Sequence, residues 1–281
     1  MNSIGGSPVA VGGVGGSGTR LVAELLQAQG FNMGSDLNSE RDNLWFTLLF
    51  KRPAMLLAPD QEFEWLLQIF VSRMTGKQFD EVERSTVRDY LARDTFRGAE
   101  HISSWRQTRI ETFLANDPGR QSGLVRWGWK EPNTHLFASR LLMALPGLRY
   151  VHVMRHGLDM AYSSNQNQLR LWGSVLLGRE CDIGPRDSLK YWCEVHRRLL
   201  PLQERFADRF LLLNYDRLIA SPDQEMSRIF HFLGVPIMPD LWPELMPLIK
   251  PSESAGRYTK QGLGLFDPED LDFVRSMGFV V

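Results

Sequence analysis

Val9-Ala10-Val11-Gly12-Gly13-Val14-Gly15-Gly16-Ser17-Gly18-Thr19-Arg20-Leu21-Val22 is the stretch from which the fold is read. Val9, Ala10 and Val11 form a short apolar run of the kind that makes a buried strand. Glycines between Gly12 and Gly18 let the backbone turn tightly and aim successive N–H groups into one concavity. Leu21, Val22, Leu25 and Leu26 then recur at helical spacing until Gly30 stops the helix. A strand, a glycine loop and a helix in that order bring the positive end of a helix up behind the loop, an arrangement suited to holding a phosphate. Gly18 is followed by Thr19 and Arg20, so the Gly-Lys-[Ser/Thr] ending of the nucleoside-triphosphatase loop is absent.

The same rhythm resumes near Leu124. Residues 125–129 read as a strand, 134–145 as a helix ended by Pro146 and Gly147, and 149–154 as a second strand with a helix after Gly157. Residues 186–206 read as a longer helix, 209–213 as a further strand, and 223–233 as a helix that ends at Gly234. Strands alternating with helices predict an α/β fold, a parallel sheet flanked by helices on both faces. Between the two stretches, residues 44–114 are mainly helical and rich in large rings, among them Trp45, Phe46, Phe63, Trp65, Phe70 and Trp105. Those rings suit a core, and an inner face that lines an acceptor pocket is compatible with that reading. There is no internal repeat and no clear linker, so a single domain over 1–281 with a helical insertion at about 44–114 is expected.

Composition narrows the function. Hydrophobic residues make up 43% and charged residues 23%, ordinary for a globular protein, and the formal net charge is −1. Nothing global therefore recruits nucleic acid or an anionic membrane, and phosphate binding has to come from local groups. Cys181 and Cys193 are too few for a disulfide framework and lack metal-ligand spacing, so they are expected to be reduced, and no metal is expected. The N-terminus carries no basic segment followed by an apolar core, and no run of about 18 apolar residues occurs, so neither a signal peptide nor a membrane span is expected. The expected location is the cytoplasm.

The second chemical constellation is Arg155-His156-Gly157-Leu158-Asp159-Met160-Ala161-Tyr162-Ser163. Arg155 ends an apolar strand, where open α/β sheets bind ligands, and Ser163 is expected inside the helix that follows. A guanidinium fork and a hydroxyl so related can clasp one phosphate from two sides. With these pieces in place the chain resembles the PAPS-dependent sulfotransferase family, bacterial type. The glycine loop, Gly15, Gly16, Ser17, Gly18 and Thr19 with Arg20, resembles the family's 5′-phosphosulfate loop. Arg155 and Ser163 match its 3′-phosphate pair, and Leu212-Leu213-Asn214-Tyr215-Asp216-Arg217-Leu218 resembles its strand ending in Tyr-Glu-Asp-Leu. Gly256, Arg257 and Tyr258 resemble the C-terminal Gly-Arg-Trp segment that folds over the nucleotide. The resemblance implies a phosphate-loop, three-layer sulfotransferase-like sandwich, PAPS as co-substrate, PAP as product, and no metal.

Trp127-Gly128-Trp129-Lys130-Glu131-Pro132 resembles the Lys-Asp-Pro turn of bacterial and tyrosyl-protein sulfotransferases, whose lysine lies near the transferring group. One departure matters: where most relatives have Lys or Arg before Ser-Gly-Thr, this chain has Gly16. Arg20, in the first turn of the helix, and Lys130 are the candidates to return that charge. A base is needed for the acceptor's proton, and several relatives carry a carboxylate a short way after the loop. Asp36, Glu40 and Asp42 all fall in that window; Asp42 is slightly favoured because it opens an apolar helical run. His152 alternates with apolar residues and reads as a core histidine, while His156 touches nucleotide or simply begins a helix.

Two other functions stay open at this point: a phosphate-loop small-molecule kinase, which wants a Lys after Gly18, and a silent nucleotide-binding protein, which Gly16 favours. The aromatic insertion hints at a small-molecule or lipid-like acceptor with hydrophobic character.

Overall fold

A computed structural model of the chain describes residues 6–93, 100–115, 126–236 and 242–281. Strands β1 (Val9–Gly13), β2 (Gly128–Lys130), β3 (Arg149–Met154) and β4 (Phe210–Asn214) form a sheet in the order β2-β1-β3-β4. Every pairing is parallel, and Val11 lies opposite both Lys130 and Val151. All four C-terminal ends therefore open on one edge. The chain leaves β1, pairs β2 on one side of it and returns to pair β3 on the other, which creates a crevice at the end of β1.

The helices follow in chain order. After α1 (Thr19–Ala28) comes the insertion, α2 (Leu44–Phe50), α3 (Asp60–Met74), α4 (Glu81–Arg93) and α5 (Glu100–Leu114). Then come α6 (Ala138–Ala144), α7 (Gly157–Ala161), α8 (Asn167–Leu177) and α9 (Pro185–Arg205), and last α10 (Tyr215–Ala220), α11 (Pro222–Leu233), α12 (Trp242–Leu245) and α13 (Pro268–Ser276).

Strand side chains alternate between two layers. Val9, Val11, Val151, Val153, Leu211 and Leu213 pack against α1, α10, α11 and α12. Ala10, Trp129, Tyr150 and Met154 face the other layer, built from the insertion with α6 to α9 and α13. Insertion and sheet share this second core: the Phe46 ring stacks on Trp129 with centroids 5.6 Å apart, and Phe70 meets Trp129 edge-on at 5.3 Å. Trp45, Phe46, Phe63 and Phe70 are fully buried there. The α/β fold with a flanked parallel sheet is thus as expected.

Three boundaries differ from the sequence reading. Residues 116–125 lie outside the described residues, so the expected strand start at 125 does too; the strand seen is Gly128–Lys130. The helix expected over 134–145 divides into a 3-10 turn, Pro132–Phe137, and α6, because Pro132 and the capping carboxylate of Glu131 on Asn133 N fix a tight start. The helix after Gly157 stops at Ala161, so Ser163 falls beyond it. Its last carbonyls are taken up by Gln166, whose Nε2 donates to Met160 O, Ala161 O and Ser163 O at 3.4, 3.3 and 2.7 Å.

The second core also holds three buried histidines. His152 on β3 meets His135 and His196 edge to face, with centroids 6.0 and 5.1 Å apart. His135 Nδ1 donates to Pro132 O at 2.8 Å and His196 Nδ1 to Trp192 O at 2.6 Å, while His152 Nδ1 shares a hydrogen bond with the Tyr150 hydroxyl at 2.9 Å. His152 is a core residue, but its Nε2 and that of His196 have no partner. Burial pushes His135 down to about 4 and His196 to about 3; it lowers His152 well below its usual range, with the two neighbouring rings adding to the effect. The folded state thus keeps all three neutral where an unfolded chain takes up protons near pH 6.5.

Protons consequently bind the unfolded chain preferentially, and stability present above pH 6.5 is lost as pH falls toward the depressed folded values. Glu131, whose pKa burial raises, acts in the opposite sense above its ordinary value of 4.5 and offsets part of this loss. Urea titrations at pH values of about 7.5 and 5 should differ by up to about 2 kcal/mol for each histidine, and His196→Gln should remove one share of that difference.

Candidate active site

The loop between β1 and α1 is fixed from three sides. Gly16 and Gly18 have φ of 91° and 97°, in the left-handed region that favours glycine. A Cβ on Gly18 would fall 2.2 Å from Tyr215 Cδ2, so the tyrosine at the end of β4 packs directly on the loop. From α8, Gln168 grips the other side: its Oε1 accepts from Gly15 N at 3.1 Å and its Nε2 donates to Gly13 O at 3.2 Å. Ser17 N donates to Val14 O at 3.0 Å, so it is occupied within the loop. The N–H groups of Gly16, Gly18 and Thr19 have no partner among the described residues. Ser17 Oγ is buried beneath the loop, also without a partner.

Gly15, Gly16, Gly18 and Thr19 line a cavity of about 540 Å³ at the C-terminal edge of the sheet. Lys130, ending β2, and Arg155, just past β3, both line it, one on each side of the loop. Of the three carboxylates in the base window, Glu40 and Asp42 line the cavity. Asp36 does not: it accepts from Arg109 Nη1 at 2.5 Å and Thr112 Oγ1 at 2.7 Å on α5. Lys130 Nζ donates to Asp42 Oδ1 at 2.5 Å and to Glu40 O at 2.8 Å, and Arg20 Nη1 pairs with Glu40 Oε2 at 3.1 Å. Each cation that can replace the one missing at Gly16 is therefore in the site, and each is held by a carboxylate.

Arg155 is buried at 4% exposure, over the Tyr215 ring with its guanidinium carbon 5.4 Å from the centroid. Its Nη2 donates to Ser254 Oγ at 2.9 Å and lies 3.9 Å from Asp159 Oδ2 in a buried ion pair, and its Nε has no hydrogen-bond partner. A buried guanidinium with an unused N–H, facing a cavity, fits an anion. Ser163 lies outside the cavity lining, although its Oγ is 3.7 Å from where a Cβ on Gly16 would project. The segment 256–258 folds back onto α7 instead of into the cavity. Asp159 accepts from Gly256 N at 2.9 Å, and Arg257 donates to Ser254 O and Tyr162 O at 3.0 and 3.2 Å.

The cavity-lining residues of the C-terminal stretch are instead Leu248, Lys250, Pro251 and Ser252, which motif reading missed. Ser252 shares a hydrogen bond of 2.7 Å with Ser254, and so continues the contact from Arg155. His156 does not reach the cavity: it caps α7, stacks on Tyr258 at 4.4 Å and bonds to Val280 O at 2.7 Å. The insertion's buried rings do not line the cavity either. Trp105 borders a separate cleft of about 240 Å³ with Leu48 and Leu171. Among the described residues no group of His, Cys, Asp or Glu is placed to hold a metal ion, and no helix is long and apolar enough to cross a membrane.

Gly18→Ala tests the loop's construction. A left-handed φ and a ring in the way of the new Cβ should together lower stability by about 2–4 kcal/mol, read as a shift of the urea midpoint.

Comparison with known proteins agrees with this fold. A search of curated protein sequences returns no match. The sulfotransferase domain from the curacin biosynthetic pathway has the same fold, with a TM-score of 0.51 at 14% identity and full coverage of both chains. Sulfotransferase STF9 from Mycobacterium avium is 19% identical, with a TM-score of 0.45 over 88% of this chain and 68% of that one. The family model described as "Sulfotransferase family" matches residues 8–240, from the strand before the glycine loop to beyond the last strand, and the chain belongs to that family.

Proposed function

We propose that the protein transfers a sulfuryl group from PAPS to a hydroxyl or amine of a small-molecule acceptor and releases PAP. The observation that carries this reading is a single cavity with a glycine loop at its centre, Lys130 on one side and a buried arginine with one N–H unbonded, Arg155, on the other. A nucleotide with phosphate groups at both ends matches that layout. Its 3′-phosphate goes to Arg155, with Ser254, Ser252 and Lys250 close by, and its 5′-phosphosulfate to the loop.

In the transfer, the acceptor atom forms a bond to sulfur while the bond from sulfur to the bridging oxygen breaks, and the electron pair goes to the leaving 5′-phosphate. The free N–H groups of Gly16, Gly18 and Thr19, together with Lys130, stabilise the charge that develops there. Asp42 receives the acceptor's proton; its carboxylate faces the cavity, and Asn38 holds it by an Nδ2 bond of 3.0 Å to Oδ2.

Calorimetry with PAP in metal-free buffer should show binding that Arg155→Ala weakens about tenfold to a hundredfold. Binding of ATP that requires Mg²⁺, with none of PAP, would instead point to a kinase. With PAPS and a panel of simple alcohols, phenols and amines, Asp42→Asn should lower turnover by about 10²–10⁴-fold while PAP affinity stays within a few fold of wild type.

A further inference from the structure

Both cations that can replace the missing loop charge are paired with carboxylates from one short turn. Leu37 and Asn43 close its base as an antiparallel bridge, and Asn43 N donates to Lys130 O at 2.7 Å, which anchors the turn to β2. Inside it, Asn38 Oδ1 accepts from Glu40 N at 3.0 Å and Asp42 N at 2.8 Å. Arg41, between the two carboxylates, has φ of 63°, a conformation that residues with a side chain seldom adopt; among the described residues no other non-glycine has positive φ. The turn is thus held in a defined shape that presents Glu40 and Asp42 to the loop.

The charges at this end cancel, Arg20 and Lys130 against Glu40 and Asp42. At the other end Lys250 lines the cavity with no ion-pair partner among the described residues. A phosphosulfate entering beside the loop therefore meets cations already neutralised, and it has to exchange with a carboxylate to use them. The two pairs are not equally exchangeable. Lys130 and Asp42 have side chains 3% and 19% exposed, whereas Arg20 and Glu40 are 54% and 58% exposed. A solvated carboxylate returns to water at little cost, while a buried one does not.

Resting on the donor reading above, we propose that Glu40 is a resident counter-anion, which the 5′ end of the donor displaces from Arg20. Glu40 thereby sets how tightly that end is held. No covalent bond changes: one guanidinium exchanges a carboxylate oxygen for a phosphate oxygen, and Glu40 turns to solvent. Lys130 keeps its bond to Asp42 and has one further N–H for the leaving phosphate, so the base remains in place through the exchange. A donor with a weakly charged or missing 5′ group gains nothing from Arg20, so Glu40 moderates the hold on strongly anionic 5′ ends and leaves the rest of the nucleotide unaffected.

The test compares two nucleotides in calorimetry, PAP and adenosine 3′-monophosphate, which keeps the 3′-phosphate and lacks the 5′ one. Glu40→Gln preserves shape at an exposed position. It should tighten PAP about three- to fivefold, leave adenosine 3′-monophosphate unchanged, and lose its effect in an Arg20→Ala background. Unchanged or weaker PAP binding in Glu40→Gln overturns the inference. So does an equal gain for the 3′-mononucleotide, or a gain that persists without Arg20, because a general structural effect would produce either. If the wild-type protein binds no PAP, the donor reading falls and this inference falls with it. That failure is distinguishable, because it appears before any variant is made.

Discussion

The position of β1 between β2 and β3 in a wholly parallel sheet is the constraint on which the site depends. Parallel register makes three strand ends finish on one edge, and the reversal of direction around β1 leaves a crevice there. A glycine loop leaving the central strand is then flanked by whatever the neighbouring strands carry at their ends. In this chain those are Lys130 and Arg155. Neither side chain needs a long excursion to reach a ligand, and both are buried by the helices that pack on the sheet.

That dependence explains what could be read from sequence. The strand–loop–helix unit, the parallel sheet and the two strand-end cations all follow from local pattern plus the rule about where parallel strands end. Features set by distant partners were less visible. Gln166, not anything within α7, ends that helix, so Ser163 was placed in a helix that had already stopped. Asp36, Glu40 and Asp42 look alike in sequence. Arg109 and Thr112 on α5 draw Asp36 away, and Asn38 with Lys130 keeps Asp42 at the cavity. The insertion's rings read first as core, with a pocket-lining face compatible, and the stacking of Phe46 on Trp129 places them in the core. Lys250 and Ser252 had no pattern to announce them, because their place depends on how the C-terminal stretch folds back.

That stretch is tied down by short polar contacts more than by apolar burial. Asp159 accepts from the backbone at Gly256, His156 N donates to Asp216 Oδ2 at 3.0 Å, and the Tyr258 hydroxyl donates to Val280 O at 3.1 Å. The ends of β3 and β4 and the C-terminal stretch are thus linked next to Arg155. A charged residue near an anion site usually weakens binding if it is acidic. Asp159, 2% exposed, is set against Arg155 itself, whose Nη2 lies 3.9 Å from Asp159 Oδ2, while its oxygens also accept from the backbone N–H groups of Gly256 and Tyr258.

Gln168 holds the loop through an amide that both accepts and donates, from Gly15 N and to Gly13 O. Because the loop is already gripped, a ligand need not order it, and little of its affinity is lost to conformational entropy. The same grip makes the loop vulnerable to a change of one functional group. Exchange of the amide NH₂ for an oxygen, as in chemical ageing of glutamine, would leave two acceptors facing each other at Gly13 and place a negative charge beside the anion pocket. One change of functional group would thus loosen the loop and reverse the pocket's polarity together.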